Sequence, residues 1–151
     1  MYRGITAINL DDKGRLALPT RYRDHLFTSA DNQVVVTIDT SESCLLLYAL
    51  PDWEDIEEKI EALPSFNPAA RRIQRLLIGH ASEVTIDNNG RILVPPLLRE
   101  YAGLDKQIIL VGQGKKFEIW SASNWEARRQ DWLTPGADGI ELPIELQTLS
   151  L

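Results

Sequence analysis

Eight short segments of the chain are rich in apolar residues, and residues that favour turns separate these segments. Short apolar runs bounded by turn residues are typical of strands. The pattern therefore predicts a strand-rich chain. The predicted strands are Ile5–Leu10, Arg15–Leu18, Val34–Ile38, Cys44–Tyr48, Ser82–Ile86, Arg91–Val94, Gln107–Val111 and Lys116–Trp120.

Between these strands, apolar residues recur at spacings of three and four, which is typical of helices. In the longest helical pattern, Trp53, Ile56 and Ile60 recur at spacings of three and four and so share one face. Asn67 followed by Pro68 is typical of a helix N-terminus. The predicted helices are Arg21–Leu26, Asp52–Ala62, residues 68–78, residues 96–102 and Asn124–Leu133.

One phrase of nine residues occurs twice, as DDKGRLALP at residues 11–19 and as DNNGRILVP at residues 87–95. The two copies are 76 residues apart, and the match resumes downstream at a spacing of 72. The first copy thus has about four extra residues, which we place in the loop Phe27–Gln33. The chain is predicted to be a duplication. A single copy of about 70 residues has a marginal core, so we expect the copies to share one.

The repeat divides the chain into four predicted parts. Repeat 1 spans residues 1–51, a helical connector spans 52–79, repeat 2 with a C-terminal helix spans 80–133, and a tail spans 134–151. Runs of strands and helices in this order indicate an α+β fold.

The net charge of −6 and the pI of about 4.9 conceal an uneven distribution of charge. Residues 1–25 have an excess of two positive charges, whereas residues 52–61 have an excess of five negative charges. Screening limits the field of exposed charges to about 8–10 Å, so a basic edge on an acidic protein can still attract phosphate. Charge alone does not decide whether the chain binds nucleic acid.

No sequence feature indicates a membrane protein, a secreted protein or an enzyme. The apolar runs are shorter than a bilayer span, and the N-terminus lacks a signal-peptide pattern. The lone Cys44 is expected to be a buried residue in the cytoplasm. Neither His25 nor His80 has the spacing of a metal ligand with Cys44, and Gly112–Lys115 is too short for a phosphate loop. We therefore predict no catalytic site, metal, cofactor or small-molecule substrate.

Several separated motifs resemble a known family. The D-x-x-G-R phrase, followed by an apolar strand and proline, resembles the SpoVT/AbrB-type swapped-hairpin domain. Two such copies in about 150 residues resemble the bacterial MraZ family. The segments Tyr2-Arg3-Gly4, RRIQRLL at residues 71–77 and GHASE at residues 79–83 also fit this family.

The resemblance implies two swapped-hairpin repeats that form a pseudo-dimeric β-barrel with packed helices. It implies a nucleoid-associated transcriptional regulator of the bacterial division and cell-wall gene cluster, which binds double-stranded DNA at short promoter repeats upstream of its own operon. It also implies self-association into a homo-oligomeric ring. The alternative is a structural or protein-interaction ring that does not bind DNA.

Arg15 is the main candidate for DNA contact. It follows a turn in which Gly14 allows the positive φ of a tight hairpin. Arginine can donate two hydrogen bonds at once to a phosphate or a guanine edge. We expect Lys13 beside Arg15, and Arg3 on a neighbouring strand. In the alternative interpretation, an ion pair between Asp11 and Arg15 only braces the turn.

The second repeat has fewer cations than the first. The motif residues Asp87, Gly90 and Arg91 match the first copy, but Lys13 is replaced by Asn89 and Arg21 by Leu97. We therefore predict that Arg91 is mainly structural and that repeat 1 makes most of the DNA contact. Secondary candidates for phosphate contact are Arg21 and Arg23, which could equally be solvated helix charges.

The connector has opposite charges on its two predicted helices. A basic stripe is formed by Arg71, Arg72 and Arg75, and an acidic face on the preceding helix by Asp55, Glu58 and Glu61. Three interpretations of the stripe are open: a solvated face, a phosphate site or the partner of the acidic face. We favour the last, within one chain or across a subunit boundary, and predict an oligomer interface here.

Overall fold

The computed structural model describes residues 1–136, 139 and 143–150. Its strands are β1 (Tyr2–Asn9), β2 (Arg15–Ala17), β3 (Gln33–Ile38), β4 (Leu45–Ala49), β5 (Ser82–Thr85), β6 (Arg91–Leu93), β7 (Gln107–Gly114) and β8 (Lys116–Ser121). Its helices are α1 (Thr20–Ala30), α2 (Leu50–Glu61), α3 (Pro68–Ile73), α4 (Pro96–Ala102), α5 (Ala122–Leu133) and α6 (Ile144–Gln147). The predicted strands and helices before the tail are all confirmed, with shifted ends. Residues 137, 138, 140–142 and 151 of the predicted tail lie outside the described residues.

Six strands form one antiparallel sheet in the order β1-β7-β8-β4-β3-β5. Two hairpins, β3–β4 and β7–β8, form its centre. The first strand of repeat 1, β1, adds to the hairpin of repeat 2, and β5 of repeat 2 adds to the hairpin of repeat 1. The strands β2 and β6 pair with each other in a separate two-stranded sheet. Most of the strand pairing that builds the fold thus joins one repeat to the other.

Two expectations about the strands are wrong. The barrel is not closed among the described residues, because β1 and β5 lie at opposite edges of the large sheet. The pair β2–β6 forms a separate two-stranded sheet and does not join those edges into one barrel. The tight hairpin expected at Gly14 is also wrong as a pair of strands, since β1 and β2 share a single bridge between Leu10 and Leu16. A hydrophobic pattern specifies which residues are extended, but not which strand they pair with.

The two repeats share one hydrophobic core, as predicted. Leu16 of β2 lies opposite Ile92 of β6, and the two side chains are 1% and 0% exposed. Leu18 and Val94, which follow these strands, are fully buried as well. The same cluster includes buried residues of the large sheet from both copies, namely Val34, Val36, Leu45, Leu47, Ile108, Leu110, Phe117 and Ile119. The small sheet therefore covers one side of a core to which neither repeat alone contributes enough side chains.

The four extra residues of the first copy lengthen a helix. The helix α1 has 11 residues and its counterpart α4 has 7. Leu26 aligns with Ala102, the last residue of α4, and the added turn at residues 27–30 buries Ala30 against the core. The loop expected at Phe27–Gln33 is reduced to Asp31 and Asn32, which both adopt positive φ. Asp and Asn tolerate this conformation better than most residues.

The connector packs on the outer face of the sheet. Trp53 and Ile60 of α2 are buried, as their spacing predicted, and the Asn67 side chain caps α3 by accepting bonds from two backbone N–H groups. A π-helical turn at residues 74–78 continues α3. The buried Thr37 hydroxyl of β3 donates a 2.7 Å hydrogen bond to the Leu77 carbonyl of that turn. The carbonyls of the last turn of a helix have no partner within it, so the Leu77 carbonyl is free to accept this bond.

The last long helix, α5, is held to the sheet by aromatic and ionic contacts. Trp120 of β8 packs edge-on against Trp125 and Trp132, with ring centroids 5.7 and 5.6 Å apart. The Arg128 guanidinium donates two hydrogen bonds, of 2.9 and 2.7 Å, to the Glu42 carboxylate. Within the described part of the chain, every helix is too short or too polar to cross a bilayer.

The small sheet provides a test of the shared core. Replacing Ile92 by alanine leaves a cavity between the repeats and should lower the free energy of unfolding by about 2–5 kcal/mol. The adjacent Leu93 is half exposed, so Leu93→Ala should change it by less than about 0.5 kcal/mol. Urea denaturation at a fixed protein concentration measures both. Equal losses would mean that the small sheet does not cover the core in solution.

Candidate nucleic-acid interface

Each copy of the repeated phrase forms the same loop. The Asp11 carboxylate accepts hydrogen bonds from the backbone N–H groups of Lys13 and Arg15, both at 2.9 Å. The Asp11 N–H donates to the Arg15 carbonyl, and the Gly14 N–H donates to the Asp11 carbonyl. Gly14 has a φ of 82°, which its lack of a Cβ allows. The aspartate, glycine and arginine of the phrase are therefore joined in one closed turn.

The loop of repeat 2 repeats these bonds. The Asp87 carboxylate accepts from the N–H groups of Asn89 and Arg91, again at 2.9 Å, and Gly90 has a φ of 74°. These backbone bonds need only a short carboxylate at the first position and glycine at the fourth. They explain why those two residues occur in both copies whatever else the loops do.

An ion pair fixes the arginine in each loop. The Arg15 Nε donates to the second carboxylate oxygen of Asp11 at 2.8 Å, and the Arg91 Nε donates to that of Asp87 at 3.2 Å. The turn-bracing pair of the alternative interpretation is thus present in both repeats. It occupies only Nε, so within the described residues the two terminal nitrogens of each arginine have no hydrogen-bond partner.

The pKa of each aspartate is lowered from its usual value. For Asp11 the largest cause is the backbone N–H of Arg15, and for Asp87 it is the backbone N–H of Arg91. The arginine side chains lower both pKa values further. Both carboxyl groups are therefore ionised at neutral pH and hold their loops closed.

The register of the small sheet places the two arginines on one outer face. Arg15 lies opposite Leu93, Leu16 opposite Ile92, and Ala17 opposite Arg91. Because side chains alternate along a strand, the buried Leu16–Ile92 pair puts the other four side chains on the side away from the core. Arg15 and Arg91 are diagonal neighbours on this face, at a typical spacing of about 7–8 Å. We call the outer face of β2 and β6, with its two loops, the arginine ribbon.

Each loop is also covered by an arginine from the other repeat. The Arg99 guanidinium of α4 lies so close to Gly14 that a Cβ there would be 2.5 Å from its central carbon. Arg23 of α1 lies equally close over Gly90, and its Nε donates to the Leu18 carbonyl at 2.8 Å. The glycine of each loop is thus needed both for its backbone conformation and for this close approach.

Backbone bonds connect the loops to the other repeat as well. The Leu18 N–H donates to the Gly90 carbonyl, and the Val94 N–H donates to the Gly14 carbonyl, both at 2.9 Å. The loops are therefore rigidly attached to the strands on both sides, and so are the arginines that follow them.

The remaining DNA-contact candidates fall into two places. Lys13 is exposed in the first loop, beside Arg15 as predicted. Arg3 is at the start of β1, at the far end of that eight-residue strand from the loop, roughly 20 Å away along the strand. Arg21 lies near it, because its terminal nitrogen donates to Thr6 of β1 at 3.2 Å. The structure thus attaches Arg21 to the middle of β1 at Thr6, and it places Arg3 at the end of β1 away from Arg15.

The charged faces of the connector do not pair with each other within the described residues. The three basic residues of the stripe and both Asp55 and Glu58 are exposed. The two helices are joined instead by Gln74, whose amide donates to the carbonyls of Ile60 and Leu63. Within the described residues of one chain, the basic stripe and the acidic face of α2 therefore form no ion pair with each other.

Two residues at or beside the arginine ribbon, Arg99 and Leu93, were missed as candidates in the sequence. Arg99 aligns with Arg23 in the two repeats, so the sequence indicated that their positions are equivalent. It did not indicate that each arginine packs on the glycine loop of the other repeat. Leu93 is the counterpart of Ala17, and its 50% exposure could not be known before the ribbon's inner face was identified.

One group of potential metal ligands occurs in the described residues, away from the ribbon. Ligand atoms of Asp39, Cys44 and Glu118 lie within 4.8 Å of one another. Burial, and then the nearby carboxylates, raise the pKa of the Cys44 thiol far above its usual value. The thiol is protonated and lies 3.7 Å from an Asp39 oxygen.

Comparison with known proteins identifies the family. The family model described as "MraZ protein, putative antitoxin-like" matches residues 1–76 and again residues 77–132. The chain belongs to the MraZ family. Proteins named transcriptional regulator MraZ from Coxiella burnetii, Halorhodospira halophila and Legionella pneumophila are 59%, 56% and 55% identical to it, each over the full length of both chains.

The family assignment confirms the resemblance seen in the sequence. The two matched ranges agree with a duplicated chain. These MraZ relatives are named as transcriptional regulators, so the prediction of a regulator and not an enzyme is also confirmed at the level of the family.

The loop geometry predicts how Asp11 titrates. Arg15→Ala removes the side-chain bond but keeps the backbone N–H, the largest cause of the lowered pKa. The Asp11 pKa should therefore rise in this variant and remain below the ordinary value of about 3.9. Carboxyl NMR titration measures it, and Asp87 in the same variant is the internal control, expected to be unchanged.

The sign of the pH effect follows from the lowered pKa. The ionised carboxylate stabilises the folded loop above the ordinary aspartate pKa, and this contribution is lost as the pH falls through the lower folded value. The loops should stay closed from neutral pH to about pH 4. Opening of either loop well above pH 4 would contradict the lowered pKa values of Asp11 and Asp87.

Proposed function

We propose that this chain binds double-stranded DNA through the arginine ribbon and regulates transcription. The observation that carries the proposal is the pair of arginines on one exposed face of a two-stranded sheet, each held at Nε by its own aspartate. A two-stranded ribbon is narrow enough to enter the major groove, which is about 12 Å wide.

The aspartates support this function because they orient the arginines. A guanidinium fixed at Nε presents its two terminal nitrogens in a set direction, and these can donate together to O6 and N7 of guanine. Less side-chain freedom is then lost on binding, which favours affinity. The turn-bracing and DNA-binding interpretations are thus compatible, since each uses different nitrogens of the same side chain.

The charge of the ribbon is nevertheless small. Each loop has one aspartate beside its arginine, and the cation added by the other repeat is Arg99 at the first loop and Arg23 at the second. Phosphate neutralisation is the main source of sequence-independent affinity. A single chain with net charge −6 should therefore bind one site weakly, and several ribbons in one assembly could raise the avidity by roughly 10²–10⁴.

A ring of chains, as the family resemblance suggests, would supply these ribbons. The exposed basic stripe on residues 71–75 and the exposed acids of α2 have opposite signs and are unpaired with each other in the described chain. Phe66, in the turn between the two helices, is 89% exposed. Opposite faces on one chain allow a head-to-tail contact, which closes into a ring when its rotation permits. Aromatic residues such as Phe66 are enriched at such interfaces.

The regulatory target follows from the family resemblance. We propose that the ring binds short repeats upstream of its own operon, in the division and cell-wall gene cluster, and is associated with the nucleoid. The alternative is a ring that binds only protein, which would leave the ribbon without a ligand. Binding assays with promoter DNA distinguish this ring from a DNA-binding regulator.

The ribbon is tested by substitution of its arginines. On DNA from upstream of the gene, Arg15→Ala should weaken binding by about 5- to 150-fold per site, the usual effect of losing an arginine–guanine contact. Arg15→Lys should fail to restore binding, because lysine keeps the charge but not the fork. Arg91→Ala should weaken binding less, as the fewer cations of repeat 2 predict. Fluorescence anisotropy at several salt concentrations measures these affinities.

The control for these variants is Arg129→Ala, which removes an exposed arginine of α5 and should leave binding unchanged. Equal losses for Arg15→Ala and Arg91→Ala would overturn the proposed asymmetry between the repeats. Equal affinity of the unsubstituted protein for promoter and random DNA would overturn sequence-specific binding.

Ring assembly is tested by charge reversal on the connector. Arg72→Glu or Glu58→Arg alone should lower the oligomer mass, because each places like charges in the head-to-tail contact. The double variant should restore much of the assembly if these faces meet across subunits. Light scattering after size-exclusion chromatography measures the mass, and Arg129→Glu is the control. Unchanged mass in both single variants would exclude this interface.

A further inference from the structure

We infer that Leu93 contacts the C5-methyl group of a thymine and thereby fixes the direction in which each ribbon lies on DNA. This inference rests on the proposed DNA binding of the ribbon. Leu93 is 50% exposed at the ribbon's outer face, where it lies opposite Arg15 and two residues along β6 from Arg91. It would be a specificity-determining residue beside the arginines.

The position of Leu93 is not explained by the fold. Its neighbours Ile92 and Val94 are fully buried, and the alternation along β6 points Leu93 away from the core that they form. Its counterpart in repeat 1 is Ala17, so neither the loop nor the strand pairing requires a large apolar residue there. An exposed leucine beside two arginines instead matches the major groove at a thymine, where a methyl group lies next to hydrogen-bonding base edges.

The spacing within the ribbon fits neighbouring base pairs. Leu93 lies directly opposite Arg15, and such cross-strand pairs have Cβ atoms about 4.5–5.5 Å apart. Successive base pairs are about 3.4 Å apart along the helix. If Arg15 donates to a guanine, Leu93 therefore reaches a base pair one or two steps away. Charge complementarity supports DNA as the occupant of this face, because both flanking side chains are cationic.

The two halves of the ribbon differ at this point. Arg15 has Leu93 as its cross-strand neighbour, whereas Arg91 has only Ala17. The pseudo-symmetric ribbon thus has a leucine that can reach a methyl group opposite Arg15, and only the shorter alanine side chain opposite Arg91. A site bound in the reverse direction would lose this contact. The preference for one direction then arises from Leu93 in repeat 2 together with Arg15 in repeat 1.

The experiment is a double-mutant cycle that combines Leu93→Ala in the protein with removal of a thymine methyl group in the DNA. The full-length protein is titrated with promoter DNA and with the same DNA in which single thymines are replaced by deoxyuridine, which lacks only the methyl. At one thymine within two base pairs of a guanine, replacement should weaken binding about fourfold, the effect expected for one buried methyl group. Leu93→Ala should weaken binding to thymine DNA by at least this factor and remove the dependence on the methyl.

A matched control is Leu97→Ala, which shortens a leucine of α4 that is 65% exposed, and which should keep the methyl dependence. Failure of the unsubstituted protein to bind promoter DNA would overturn the proposed function itself. Binding that is insensitive to every deoxyuridine, or a methyl dependence that survives Leu93→Ala, would overturn only this inference. A changed oligomer mass for Leu93→Ala with intact methyl dependence would assign Leu93 to assembly and also overturn it.

Discussion

The structure depends on the pairing of β2 with β6, the contact by which the two repeats share a core. On its inner face, Leu16 and Ile92 cover that core. At its ends, one backbone bond connects each glycine loop to the residue that follows the short strand of the other repeat. If this short ladder were absent, the large sheet would expose one apolar face. The exchange of β1 and β5 between the hairpins adds to the same constraint, because each repeat completes the sheet of the other.

The same ladder positions the chemistry of the molecule. Its three-residue strands are too short to form a sheet alone, and they persist because the inner face is buried. The outer face thereby becomes a rigid support for Arg15 and Arg91. Each aspartate then holds its arginine through Nε and keeps the terminal nitrogens unbonded within the described residues. Stability and the proposed recognition of DNA thus arise from opposite sides of one pair of strands.

Charge explains why the proposed assembly matters to the proposed function. An arginine neutralised in part by its own aspartate gains direction but loses attraction for phosphate at a distance. The acidic faces of the connector lower the average charge further, while they offer a complement to the basic stripe of a neighbouring chain. A protein of this kind gains affinity by presenting several well-oriented ribbons together, and gains specificity from side chains such as Leu93 that distinguish one base from another.

The sequence by itself determined the duplication, the identity and order of the strands and helices, the glycine loops and the family. These features depend on local periodicity and on residues such as Gly14 and Gly90. The tight turns need the positive φ of these glycines whichever strands pair afterwards. Only the tertiary structure decided which strands pair, that Arg23 and Arg99 each cross to the opposite loop, and that Arg3 lies far from Arg15. It also showed that Arg91 shares a face with Arg15 and that Leu93 is exposed between them. The physical reason is that strand partners are chosen by the burial of a core common to both repeats, and this burial depends on residues far apart in the chain.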